Sequence, residues 1–379
     1  MSEAFDPAPL RHARLARLRA AMADAGHDAL VLTAAGALRY ATGAVPVHGD
    51  ASLETARPFA AVVEARAVHV FGIEPGFVPP DVVGEPWPRD LVAALVDRLG
   101  GARRIGVDRL PYATGARLAR TLDGVALSGA EASLLPARAS KTAEEIALLR
   151  EAQRRNEAAI AEVLPAIVPG VREVELTGRF LAAMARAGVT TCHVEPIWCV
   201  VPRRAAEAPW TFAGGLPYRE LTSSRALAAG DQVMIDTGML HGGYMSDFGC
   251  TWVCGDPTAA DRALRARWQA IVDAVVAVCR AGATAADLHR AALAANGAER
   301  PSPWPRPLYL AHGLGLGGVE PPFVGTDAGL AAEERAVLGA GMVLVLEPYA
   351  WEEGRGGYRA EQTVVIGSDG CERLSAPPP

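Results

Sequence analysis

Five side chains are of types that together hold metal and activate water: Asp236, Asp247, His312, Glu347 and Glu361. The two aspartates lie in the run Val233 to Cys254, where two strand-like stretches flank Gly242-Gly243, the pattern of a hairpin. A two-residue turn at His241-Gly242 predicts that Asp236 faces Asp247, with Cβ atoms about 4.5 to 5.5 Å apart. That separation suits carboxylates that hold two metal ions roughly 3.5 to 4 Å from each other. Met342 to Pro348 and Tyr358 to Ile366 repeat the arrangement around the loop Trp351 to Gly357, which pairs Glu347 with Glu361 about Gly354. Four buried carboxylates without cations repel one another at a cost of several kcal/mol each, so metal is the simplest neutraliser. His312 adds the nitrogen ligand. It opens His-Gly-Leu-Gly-Leu-Gly-Gly after a short strand, and the glycines let backbone or substrate approach closely.

The elements that must position these groups are legible in the periodicity. Thr142 to Glu145 reads as a capping box, and Ile146, Leu149, Ile160, Val163 and Leu164 form one face of the long helix that follows. Leu176, Phe180, Leu181 and Met184 predict a second helix that stops at Gly188, with a strand at Val194 to Val201. A third helix spans roughly 259 to 281, with Leu264, Trp268, Ile271 and Val275 inward, and a fourth begins at the capping box Thr284 to Asp287. Upstream, a helix over 9–25 runs into the strand Ala29 to Thr33. Strands at 59–63, 67–72 and 104–107 and helices near 89–99 and 112–122 continue a βα alternation. The expected fold is therefore an α/β N-terminal domain, residues 1–135, and an α+β domain, residues 136–379, whose helices cover a curved antiparallel sheet. Two domains also follow from the length of 379 residues, because single cores rarely grow past about 250 to 300.

A net charge of −6 and the lack of a basic cluster argue against nucleic acid or an anionic membrane as partner. The N-terminus has no basic, apolar leader and no apolar run approaches the ~20 residues of a membrane span, so a cytoplasmic location is expected. The six cysteines, Cys192, Cys199, Cys250, Cys254, Cys279 and Cys371, contain no Cys-x-x-Cys pair and read as reduced, mostly buried thiols rather than a zinc-thiolate or nucleophilic site.

In order and context, Asp236, Asp247, His312, Glu347 and Glu361 closely resemble the ligands of the pita-bread metallopeptidases, the family of Xaa-Pro aminopeptidases, Xaa-Pro dipeptidases and methionine aminopeptidases. Leu38 to Gly43 resembles that family's creatinase-like N-terminal domain, Ser140 to Arg150 its linker, and Gly341 to Glu347 and Gly357 to Glu361 its glutamate motifs. The resemblance implies that Asp236 binds one ion, Asp247 and Glu361 bridge two, and His312 and Glu347 complete the second. Glu347 would also take a proton from water. An oxygen-rich site with one imidazole accepts Mn, Co, Fe or Zn. The implied activity is hydrolysis of a C–N bond in a small molecule or short peptide by a chain that forms homodimers.

The sequence departs from that family at three places. The family carries a second histidine seven residues after the ligand histidine, where this chain has Val319, and another about 17 residues before the first aspartate, near Tyr218 and Arg219. Cys250 stands where arginine is usual. Substitutes for the missing donors are His193 and Arg359 in catalysis, and Arg203, Arg204, Tyr218, Arg219 and Val319 around the substrate; any of the arginines could meet a substrate carboxylate. Trp198, Trp210 and Tyr218 are candidates for an apolar pocket wall or for plain core. Two other readings stay open: non-peptide chemistry, as in creatinases and ectoine hydrolases, and a binding protein that retains the fold without turnover.

Overall fold

A computed structural model describes residues 6–45, 59–189, 191–192, 195–207, 222–297, 299–300, 302–304 and 309–378. The candidates His193, Trp210, Tyr218 and Arg219 lie outside these residues. The chain divides into two compact units, Met1–Arg138 and Ala139–Pro379.

The first unit begins with helix α1 (Ala8–Ala25), which ends where Gly26 takes φ 71° and closes the last turn with its own N–H. Strand β1 (Ala29–Leu32) follows, then α2 (Ala35–Thr42), β2 (Ala60–Glu64), β3 (Val68–Phe71), β4 (Val83–Glu85), α3 (Leu91–Leu99), β5 (Arg104–Val107), α4 (Tyr112–Thr121), β6 (Ala126–Gly129) and α5 (Glu131–Ala139). The strands form one mixed six-stranded sheet in the order β4-β3-β2-β1-β5-β6. Every residue of β1 is buried, as a central strand covered on both faces requires. Sequence patterning missed α2, β4, β6 and α5, all of them short.

The second unit opens on α6 (Ala143–Val163), whose capping box is formed as expected: Thr142 accepts from the Glu145 N–H and Glu145 from the Thr142 N–H. Next come α7 (Glu173–Arg186), β7 (Ile197–Val200), β8 (Gln232–Thr237), β9 (Leu240–His241), β10 (Tyr244–Met245), β11 (Phe248–Val253), α8 (Ala259–Val278) and α9 (Ala285–Asn296). The last stretch holds β12 (Ala311–Gly315), β13 (Gly318–Val324), α10 (Leu330–Glu333), β14 (Val343–Leu346), β15 (Tyr349–Glu352), β16 (Gly356–Arg359), β17 (Gln362–Ile366) and β18 (Cys371–Arg373). The expected curved antiparallel sheet is present as ladders that hand over to one another: β11-β8-β7, β13-β12-β14-β17-β18 and β15-β16. Helices α6, α7 and α8 pack on the first ladder through a core that includes Phe180, Trp198 and Trp268. Another core, around Trp304, joins α8 and α9 to the second ladder. Trp198 is thus core; its ring lies 6.0 Å from that of Phe180.

Two registers decide where the acids go. In the β8/β11 hairpin Asp236 faces Gly249, not Asp247, because the turn is Gly242-Gly243 and His241 pairs with Tyr244. Both turn glycines have positive φ, 57° and 83°, the conformation that a two-residue turn of strand-compatible twist demands. A single glycine after His241 could not satisfy it. The correction moves the pairing by two residues, so Asp236 and Asp247 still share a face; a shift by one would have separated them. His241, expected at the solvated tip, is instead a half-buried strand residue. The second hairpin has the expected register about Gly354: Val343 to Leu346 pair with Val365 to Gln362, and Tyr349 to Glu352 with Arg359 to Gly356. Its loop is shorter than Trp351 to Gly357, since the strands extend to Glu352 and resume at Gly356.

Candidate metal centre

Glu347 and Glu361 occupy the two positions at which this hairpin leaves the β14/β17 ladder and enters β15/β16. Their backbones, released from pairing with each other, bond elsewhere: Glu347 N–H donates to Leu310 O at 2.9 Å and Glu361 N–H to Gly249 O at 3.0 Å. These two bonds draw the strand of His312 and the strand after Asp247 onto the glutamates. Asp236 is fixed from the other side, because Asn156 of α6 donates to Thr237 O and accepts from Thr237 Oγ1, both at 2.8 Å.

The result is a cluster in which oxygen atoms of Asp236, Asp247 and Glu361 all lie within 4.8 Å of one another. His312 Nε2 stands 3.2 Å from Asp247 Oδ2 and 3.4 Å from Glu347 Oε1. Its Nδ1 lies 2.9 Å from Gly313 O, so Nδ1–H donates there and Nε2 is turned toward the carboxylates. All five expected residues are brought together.

Arg359 is the correction. It was expected to act in catalysis or to meet a substrate carboxylate, yet it is only 4% exposed and lies among the acids. Its Nη1 is 2.9 Å from Asp236, its Nη2 is 2.7 Å from Glu361, and it also bonds Glu347. A guanidinium held by three carboxylates presents no free fork to substrate. Arg203 is likewise engaged: it donates to Gly230 O at 2.6 Å and Arg355 O at 2.8 Å, which ties the loop beyond β7 to the β15/β16 turn. Arg204 is exposed. Val319 lies on β13 opposite Leu314 and is 41% exposed.

The electrostatics follow from burial. Desolvation raises the pKa values of Asp236, Glu347 and Glu361 above the ordinary carboxylate range; Arg359 opposes the rise in each, while Asp247 adds to it. Burial alone would depress His312, but Asp247 and Glu347 outweigh it and raise its value to about 9. One guanidinium and one imidazole do not balance four carboxylates. Glu361 Oε2 is buried with no hydrogen-bond partner. A Cβ on Gly249 would come 3.1 Å from Glu361 Oε1 and 2.6 Å from Ile235 O, so only glycine leaves this cradle open. Orphaned oxygen, open cradle and a donor set of hard oxygens plus one imidazole fit divalent cations. The thiols do not compete for that role: Cys250 is buried and pushed up to about 12, by burial first and then by Glu361.

Those features meet in the comparisons. Residues 147–368 match the model of metallopeptidase family M24, and residues 14–140 that of the creatinase/prolidase N-terminal domain. The chain belongs to metallopeptidase family M24. Among M24 relatives, the probable dipeptidase PepE of Mycobacterium tuberculosis is 30% identical over 381 residues, covering 94% of this chain and 92% of the relative. The uncharacterized peptidase YqhT of Bacillus subtilis is 27% identical over 287 residues, 73% of this chain and 74% of that one. Dipeptidase PepE from Mycobacterium ulcerans superposes with TM-score 0.78 at 26% identity, covering 98% and 96% of the two chains. The Xaa-Pro dipeptidase from Bacillus anthracis shares the fold, with TM-score 0.77 at 23% identity over 97% and 99%. This M24 chain is accordingly a metal-dependent hydrolase. No helix among its described residues is long and apolar enough to cross a membrane.

Sequence reasoning missed two neighbours of the M24 centre. Gly249 sits two residues after Asp247, hence on the same strand face, and that parity was the available signal. Tyr309 lies three residues before His312, and its ring meets the imidazole edge-on at 4.9 Å and 70°.

Proposed function

We propose that the chain is a dinuclear metal-dependent hydrolase that cleaves the C–N bond of a small Xaa-Pro-like substrate. The observation that carries this reading is the convergence of Asp236, Asp247 and Glu361 within one ligand radius, with His312 and Glu347 beside them. Asp236 would hold one ion, Asp247 and Glu361 would lie between two, and His312 and Glu347 would hold the other. Mn, Co, Fe and Zn all suit these donors. Such ions polarise a carbonyl and make water a nucleophile at neutral pH.

The protein's own groups have separable tasks. Glu347 binds Arg359 through Oε2, while Oε1 is buried with no hydrogen-bond partner, which leaves Oε1 to accept a proton from attacking water. Arg359 favours the charged forms of Asp236, Glu347 and Glu361 against their burial and holds them in place. Val319, exposed on β13, offers an apolar side chain. Relatives named probable dipeptidase and Xaa-Pro dipeptidase support a dipeptide substrate.

A second reading, non-peptide C–N hydrolysis, is favoured by one observation: Val319 puts an exposed apolar side chain at the position where the family's second histidine is expected. Metal analysis of purified protein, then turnover of Xaa-Pro dipeptides against small amides and guanidino compounds, decides between them. Two ions per chain and Xaa-Pro cleavage support the first. Retained metal with turnover of the small amides alone supports the second, and protein that binds no divalent ion sinks both.

A further inference from the structure

The centre still needs a group that stabilises negative charge on the substrate's carbonyl oxygen, and the obvious donors are committed. Arg359 is ion-paired with three carboxylates. His312 lies with Nδ1 against Gly313 O and Nε2 toward Asp247 and Glu347, so no N–H is left to donate. Val319 has no donor at all.

Tyr309 is placed to supply one. The residue after it, Leu310, donates to Val324 O at 2.7 Å and accepts from Glu347 N–H at 2.9 Å, which anchors this backbone where β12, β13 and Glu347 meet. The ring is wedged between His312, at 4.9 Å, and Phe323, at 5.4 Å; Phe323 is itself the β13 partner of His312. The half-buried phenol lies in the electrostatic field of Glu347, Asp247 and Asp236. Packing on two rings holds the phenol against the His312 side of the cluster, and no hydrogen bond from its hydroxyl to the acids occurs among the described contacts.

We infer that Tyr309 is the hydrogen-bond donor to the scissile carbonyl oxygen as that oxygen becomes an oxyanion, in the place a histidine fills in relatives. The assignment rests on the hydrolase reading above. Water oxygen adds to the carbonyl carbon and gives its proton to Glu347, and the carbonyl π pair moves onto oxygen, which accepts the Tyr309 O–H bond without taking its proton. When the adduct collapses the C–N bond breaks, and the proton on Glu347 goes to the leaving nitrogen, so one water is consumed and one acid and one amine appear. A preorganised donor of this kind typically contributes about 10²- to 10³-fold in rate.

The test is Tyr309→Phe in the full, metal-loaded chain, read by kinetics on Ala-Pro and by calorimetric binding of the phosphinic isostere of Ala-Pro, whose tetrahedral anion mimics the adduct. Tyr309→Phe is expected to lower kcat and isostere affinity together by about 10²-fold, with KM, metal content and melting temperature unchanged. Tyr309→His, which restores a donor, is expected to recover part of both. If Tyr309→Phe keeps kcat and isostere affinity within twofold of the parent, the assignment is overturned while the hydrolase reading stands. A parent protein that neither cleaves Ala-Pro nor binds the isostere overturns the peptidase reading, and this assignment with it.

Discussion

Arg359 Nη2 lies 2.7 Å from Glu361 Oε1, two residues further along the same strand path, while Nη1 of the same guanidinium reaches Asp236 at 2.9 Å. Residues two apart on a strand share a face, so a single arginine is carried into the cluster by the backbone that carries the glutamate. Arg359→Met leaves buried carboxylates uncompensated, a change that typically costs about 3 to 5 kcal/mol. The variant is expected to melt well below the parent when metal-free and to recover much of the difference at saturating metal, since the ions supply the lost charge. Calorimetric melts with and without metal read this out; an equal deficit in both states would show that Arg359 acts only through packing.

Gly249→Ala tests the cradle. Its Cβ would meet Ile235 O at 2.6 Å, rigid backbone of the paired strand, as well as Glu361 and Arg359 at 3.1 Å. Overpacking of this sort costs about 1 to 3 kcal/mol. Here it also pushes on a ligand, so weaker metal binding by titration calorimetry is expected alongside a lower melting temperature.

Glu347→Gln keeps the side-chain volume and removes the proton acceptor. Loss of about 10²- to 10⁴-fold in kcat is expected, with the fold intact by circular dichroism. A variant that retained the parent's turnover would remove Glu347 from the chemistry.

Asn156→Leu removes the pair of bonds that fixes the strand end beside Asp236, leaving Thr237 O without its side-chain donor and Thr237 Oγ1 with only Phe248 O at 3.3 Å. A destabilisation of about 1 to 3 kcal/mol is expected from chemical denaturation. Metal affinity should fall as well, because Asp236 loses its support.

Chelation of the metal should lower the melting temperature reversibly. Ligand bound only by the folded state stabilises it by about 4 kcal/mol at a thousandfold excess over Kd. Stepwise addition back, followed by melting, reports the number of sites; a melting temperature indifferent to metal would contradict the proposed centre.

What the sequence alone determined was local or periodic. The capping box at Thr142, the helices around Leu149, Phe180 and Trp268, and the register that opposes Glu347 and Glu361 about Gly354 were all readable, because each depends on spacing within one short segment. The identities of the four acids and the histidine were readable too, through residue type and order. The aspartate hairpin was misplaced by two residues since one pattern admits two turns, and only the pair of positive φ angles at Gly242 and Gly243 chooses between them. Tertiary structure alone decided the convergence. Glu361 N–H bonds Gly249 O, Glu347 N–H bonds Leu310 O, and Thr251 Oγ1 bonds Arg359 O from 108 residues away. Spacing within a segment carries no information about such non-local bonds, so neither the depth of Arg359 in the cluster nor the ring of Tyr309 against His312 could be read before the strands met.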